Sequence, residues 1–168
     1  MNTILYERKC KVVKKWIVPA IFIILPLVLG FAVSVPIDIK EIYAPLAKPP
    51  LSPPPTLFPI VWTVLYLLMG IGSYLAYKSA PDRGIRPAEI LKPYIIQLIF
   101  NLLWTPVFFG SQMFLTGSVI SVLIIVFLIW TMASFARVNK TAAYLQIPYL
   151  IWSVFASYLS FGIYFLNR

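Results

Sequence analysis

Residues 117–136 read GSVISVLIIVFLIWTMASFA, twenty consecutive positions without Asp, Glu, Lys, Arg or His. At about 1.5 Å of rise per residue, such a run makes a helix roughly 30 Å long, the thickness of a bilayer's hydrocarbon core. Four more runs share the property, at 16–35, 58–77, 93–112 and 143–165. They are continuous and lack the ten-residue alternation of a membrane strand, and in lipid only helices and closed barrels satisfy their own backbone groups. The reading is an all-α membrane protein: one transmembrane domain over 1–168, a five-transmembrane-helix bundle with a basic N-terminal tail at 1–15 and a Pro-rich loop between helices 1 and 2.

Composition agrees. Of 168 residues 61% are hydrophobic and 11% charged, with a mean hydropathy of +0.89, against roughly 25% charged in an ordinary soluble domain. The basic stretch before the first run, together with Ala32-Val33-Ser34, also fits a cleaved signal peptide. The run is longer than the ~7–15 residues of a signal core, which favours a retained helix.

Charge gives orientation. With the N-terminus cytoplasmic, the inner segments hold Arg8, Lys9, Lys11, Lys14, Lys15, Lys78, Arg83, Arg86, Lys92, Arg137 and Lys140, and the outer ones only Lys40, Lys48 and Arg168. Such a bias is what the positive-inside rule produces, and it places the C-terminus outside. Insertion into a bacterial plasma membrane is the expectation. The net charge of +9 is then a topology signal with an attraction to anionic membrane lipid. No nucleic-acid partner is expected, because the cations are divided among loops.

Much chemistry is excluded. The chain has no His and a single Cys, Cys10, so imidazole catalysis, His-ligated metals and an intrachain disulfide are absent, and no metal site is expected. The spans carry no acid, base or thiol for conventional catalysis.

Proline and tryptophan carry what remains. Eight of the fifteen prolines fall between Pro36 and Pro59, and each fixes its own φ and disfavours helix in the residue before it, which predicts a stiff, polyproline-like cap. The cap reads either as a connector or as a lid over a pocket, and Tyr43 favours the lid. Helical spacing places Gln97, Asn101, Trp104 and Phe108 on one stripe, Trp62, Leu65, Tyr66 and Met69 on a second, and Tyr149, Trp152, Ala156 and Leu159 on a third. Asn101 within an apolar span must face the bundle or a cavity, either as an interhelical hydrogen bond or as a ligand contact. Trp16 and Tyr77 read as interfacial anchors. The small pairs Gly72/Ala76, Gly117/Ser121 and Ser153/Ser157 permit close helix contact, within the bundle or in a homodimer.

Three blocks stand in register: Tyr43 with Lys48-Pro49-Pro50-x-Ser52-Pro53-Pro54 and Phe58-Pro59-x-Val61-Trp62-Thr63-x-Leu65-Tyr66-x-x-Met69-Gly70; Asn101-x-x-Trp104-x-Pro106-x-Phe108-Phe109; and Pro148-Tyr149-x-x-Trp152-x-x-Phe155-Ala156-x-x-Leu159. Over about residues 16–168 the chain resembles the TspO/MBR family, the tryptophan-rich sensory proteins and mitochondrial translocator proteins. The resemblance implies a five-helix bundle, often dimeric, with a pocket under the first long loop for porphyrins such as protoporphyrin IX or haem and, in animal members, cholesterol. By motif position it implies ligand contacts from Tyr43, Trp62, Tyr66, Asn101, Trp104, Trp152, Phe155 and Ala156. The chain departs from many members at Leu51, where they have Trp, and at Ser160, where they have Asn. The family's sterol pattern can be drawn through Leu159, Tyr164 and Arg168.

Three function classes follow. The first is a tetrapyrrole-binding protein acting in porphyrin homeostasis, sensing or regulation, with porphyrin as ligand rather than obligatory cofactor. The second is an enzyme of light- and oxygen-dependent porphyrin breakdown, with Trp62 and Trp152 as the redox side chains. The third is a transporter of porphyrin or other hydrophobic ligands such as sterols. It has the least support, because the spans carry no ionisable group of the kind that couples ions and show no broken-helix repeat.

Overall fold

A computed structural model describes the backbone of residues 2–168 and the side chains of residues 16–168. Cys10 and the cations from Arg8 to Lys15 therefore lie outside the described side chains. The chain is all-helical among the described residues: α1 (Asn2–Ser34), α2 (Ile39–Tyr43), α3 (Leu57–Ser79), α4 (Pro87–Thr105), α5 (Phe114–Ala136), α6 (Lys140–Tyr144) and α7 (Ile147–Leu166). Five stretches are long and apolar enough to cross a membrane, Trp16–Ser34, Leu57–Ser79, Pro87–Gly110, Phe114–Ala136 and Lys140–Leu166.

Several boundaries differ from the sequence expectation, each for a local reason. The first helix does not begin near residue 16 but continues through the basic stretch from Asn2. The third span begins at Pro87 rather than 93, because proline suits the first helical turn, where its missing N–H is no loss. The Glu89 and Lys92 side chains of that turn stay exposed, and Arg86 Nε donates to Glu89 Oε1 at 2.9 Å. The last span is two helices, since Pro148 in the first turn of α7 has no N–H with which to continue α6. Pro106 ends α4 and opens a π-helical turn, Pro106–Gly110. That wider turn lets two consecutive rings, Phe108 and Phe109, both point inward, at 1% and 4% exposure.

The loop between α1 and α3 is not uniformly extended. Asp38 caps α2 by accepting from the Glu41 N–H at 3.0 Å, and this single helical turn interrupts the polyproline geometry the prolines predict. Beyond it the loop folds down on α7. Tyr158 Oη donates to the Pro50 carbonyl at 3.0 Å, and Asn167 both accepts from the Ala47 N–H and donates to the Ala47 carbonyl at 2.9 Å. The Pro49 ring lies where a Cβ on Gly162 would stand.

Packing is uneven. α4, α5 and α7 form the dense part of the bundle, whereas α1 rests mainly on α3. The approach of α1 to α3 is set by Gly70, where a Cβ would stand 2.6 Å from Ile23 Cα and from the Phe22 carbonyl oxygen. The small pairs are buried within the chain: Gly72, Ala76, Gly117, Ser121, Ser153 and Ser157 all face neighbouring helices of the same bundle. The serine hydroxyls are satisfied on their own helices, Ser153 on the Tyr149 carbonyl at 2.8 Å and Ser157 on the Ser153 carbonyl at 2.9 Å. Internal packing thus accounts for these pairs. Trp16 is exposed, and Tyr77, partly exposed, packs against Phe22 with ring centroids 5.0 Å apart.

Candidate functional site

A cavity of about 200 Å³ lies beneath the loop, between the C-terminal end of α1, α2, the N-terminal half of α3 and the C-terminal end of α4. Its aromatic wall is built by spacing. Trp62 and Tyr66, one helical turn apart on α3, have ring centroids 5.5 Å apart, and Trp62 lies 6.4 Å from Trp104 on α4. Trp104 stacks on Phe108 at 5.3 Å with a 19° interplanar angle and meets Phe109 edge-on.

The polar floor of the site is a buried relay. Tyr66 Oη donates to Asn101 Oδ1 at 2.8 Å, and Asn101 Nδ2 donates to Tyr149 Oη at 2.7 Å, which also accepts from Gln97 Nε2. One amide on α4 thereby ties α3 to α7, and it also reaches the cavity lining. The interhelical hydrogen bond expected of Asn101 is formed, and the same side chain borders the cavity. Asn101→Leu keeps the volume, takes away the acceptor of the buried Tyr66 hydroxyl and leaves the Tyr149 hydroxyl with Gln97 alone, so a loss of about 1–2 kcal/mol is expected. Thermal unfolding in detergent, compared with Asn101→Gln, checks it.

The eight residues singled out from the sequence do not share one space. Trp62, Tyr66, Asn101 and Trp104 line the cavity. Tyr43 and Ala156 instead line a void of about 10 Å³ on the α7 side, room for about one water. Trp152 and Phe155 line neither space; Trp152 meets Phe58 edge-on at 6.1 Å and Phe155 at 5.5 Å. Phe58, Trp104 and Phe109 border both spaces and form the wall that separates them.

Tyr43 is therefore an anchor of the cap rather than part of the cavity surface. It is 2% exposed, its hydroxyl donates to the Pro53 carbonyl at 3.3 Å, and Lys48 Nζ sits 4.8 Å from its ring centre while donating to the Ala44 and Leu46 carbonyls. Burial pushes its phenol above the ordinary value. Leu51 takes a left-handed φ of 66° and is 82% exposed, so that position points away from the cavity. Ser160 donates to the Ala156 carbonyl at 2.7 Å and borders only the small void. The sterol pattern does not form one surface: Leu159 is 4% exposed and turned into the bundle, while Arg168 lies over the Phe165 ring.

Sequence reasoning missed the α1 side of the cavity, Gly30, Phe31 and Ser34, together with Lys40 and Thr105. Gly30 leaves space for the Tyr66 ring, which occupies the position its Cβ would take. Phe58 and Phe109 stood within the quoted motifs, and their adjacency to the tryptophans was the available signal. Among the described residues no group of three or more His, Cys, Asp or Glu side chains could hold a metal ion.

Comparison with known proteins agrees with this architecture. The chain is 42% identical over 153 residues to the tryptophan-rich protein TspO of Chlorobaculum tepidum, covering 88% of this chain and 94% of that one. It is 39% identical over 127 residues to the tryptophan-rich sensory protein of Cereibacter sphaeroides, covering 76% and 77%. It is 33% identical over 134 residues to the translocator protein of Ovis aries, covering 75% of each. The sequence profile of the TspO/MBR family matches residues 22–166, from within the first span to the end of α7, and the chain belongs to that family.

Proposed function

We propose that this multi-pass membrane protein binds a tetrapyrrole, a porphyrin or haem, in the cavity under the loop and acts in porphyrin homeostasis, sensing or regulation. The observation that carries the reading is the aromatic wall of Trp62, Tyr66 and Trp104 beside the buried Asn101 amide. Flat rings stack on such a wall and gain affinity from apolar area removed from water, while the Asn101 relay supplies one oriented polar contact. At about 200 Å³ the cavity is smaller than the ~300–1,000 Å³ of a site that encloses a drug-sized ligand. A macrocycle therefore sits with part of its rim in the mouth, or Phe58 swings aside and joins the cavity to the α7 side, where Trp152 and Ala156 wait.

Dark titration of the purified protein with protoporphyrin IX, followed by tryptophan quenching, tests the reading. Saturable quenching is expected, with affinity about tenfold weaker in Trp62→Ala, the loss of one stacking face, or about 1.4 kcal/mol. Absence of saturable quenching in the parent protein sinks it.

A second reading, light- and oxygen-dependent porphyrin breakdown, is favoured by one specific observation: two indoles, Trp62 and Trp104, stand on the cavity wall 6.4 Å apart. Illumination of the same samples separates the two. A new product spectrum that slows in Trp62→Phe supports breakdown, and a stable spectrum supports binding alone. Trp152 lies behind Phe58 in this conformation, so Trp152→Phe reports whether that ring moves.

The loop faces the outside of a bacterial plasma membrane with the N-terminus cytoplasmic, as the cation bias argues. Passage of porphyrin or another hydrophobic ligand along the α1 side is the least supported activity. A homodimer would have to use the outward apolar faces, since the small-residue pairs are already occupied.

A further inference from the structure

The cavity lining contains one charged side chain, Lys40, on the exposed face of α2 at the mouth. Its position is unusual on three counts. Among the described residues it lies at the end of the bundle that carries three cations, Lys40, Lys48 and Arg168, against six at the other end. The other two are engaged: Lys48 donates to the Ala44 and Leu46 carbonyls at 2.9 Å and covers the Tyr43 ring, and the Arg168 guanidinium lies 5.2 Å from the Phe165 ring centre. Among the described residues the one ion pair is Arg86 with Glu89, so Lys40 has no carboxylate within 4.0 Å.

The neighbouring acids do not neutralise it at the cavity. Asp38 Oδ1 is occupied as the cap of α2, and neither Asp38 nor Glu41 reaches the lining. The rest of the lining is mostly apolar, with Phe31, Ile39, Pro55 and Phe58, and its only other hydroxyls besides Tyr66 are those of Ser34 and Thr105. An ammonium in that setting attracts an anion more strongly than it would in open water, because the low-dielectric wall weakens screening.

We propose that Lys40 is the specificity-determining residue of this site. Its ammonium pairs with a carboxylate on the rim of a planar ligand whose aromatic body lies against Trp62, Tyr66 and Trp104, so the site prefers ring systems that carry an acid group over their neutral counterparts. This rests on the tetrapyrrole reading above and deepens it: the preferred ligand is a carboxylate-bearing macrocycle held half inside, acid edge outward.

The test compares protoporphyrin IX with its dimethyl ester, titrated in the dark in a nonionic detergent against the full chain, Lys40→Gln, Lys40→Arg and a control on the opposite face, Lys78→Gln. The ester partitions differently into detergent, so the readout is the change in the diacid-to-ester affinity ratio between proteins. Lys40→Gln is expected to lower that ratio five- to tenfold by weakening the diacid alone. Lys40→Arg and Lys78→Gln are expected to keep it, and added salt should reduce it in the parent protein. An unchanged ratio in Lys40→Gln, or equal losses for both ligands, overturns the role of Lys40 and leaves tetrapyrrole binding standing. If neither ligand quenches the parent protein saturably, the binding reading falls and takes this assignment with it.

Discussion

Trp104→Ala is expected to destabilise the protein by about 3–5 kcal/mol, the range for truncating a large buried aromatic. The indole is 7% exposed, stacks on Phe108, meets Phe109 edge-on and lies beside Trp62 on the cavity wall. Removing it also takes away one of the three side chains, with Phe58 and Phe109, that separate the main cavity from the small void on the α7 side, so the void left behind opens onto both spaces. Part of the lost packing cannot be recovered by collapse, because the π-helical turn holds Phe108 and Phe109 from the other side. Thermal unfolding in detergent should show the loss, with Trp104→Phe falling well short of it. Equal midpoints for Trp104→Ala and the parent protein would show that the ring carries little of the packing between α4 and α3.

Gly70→Val is expected to cost about 3 kcal/mol or more, at or above the usual upper end for overpacking. The obstacle is not a side chain that can turn away but backbone, Ile23 Cα and the Phe22 carbonyl oxygen, each 2.6 Å from where even a single added carbon would stand. α1 would have to withdraw from α3, which provides most of its packing. Because the same helix supplies Gly30, Phe31 and Ser34 to the cavity, ligand affinity should fall with stability. Unfolding and dark titration of one preparation check both, and a stable protein with normal affinity would show that the crossing tolerates separation.

The five spans were legible because hydrocarbon admits so few alternatives: a charge-free run of about twenty residues has to become a helix. Their ends were less legible, since hydropathy stops at Glu89 and Lys92 whereas the helix obeys Pro87. The stripe from Gln97 through Asn101 to Trp104 was readable from spacing alone, and all three side chains are buried together. The division of the site was not. Trp152 and Phe155 share helical faces with genuine interior positions, but whether they reach the cavity depends on where Phe58 places its ring, and no periodicity encodes that. The contribution of α1 was equally hidden, because Gly30 and Ser34 act by being small. Lys40 was visible only as an exception to the charge bias.

The clasp between the loop and α7 also fixes an order in time. Ala47 and Asn167 are 120 residues apart in the chain, so at about 5–20 residues per second the loop waits roughly 6–24 s after its own synthesis before that latch can exist. All five spans have been made by then. Every newly inserted molecule passes through an unroofed stage in which Trp62 and Trp104 have been made and nothing from α7 yet holds the cover down.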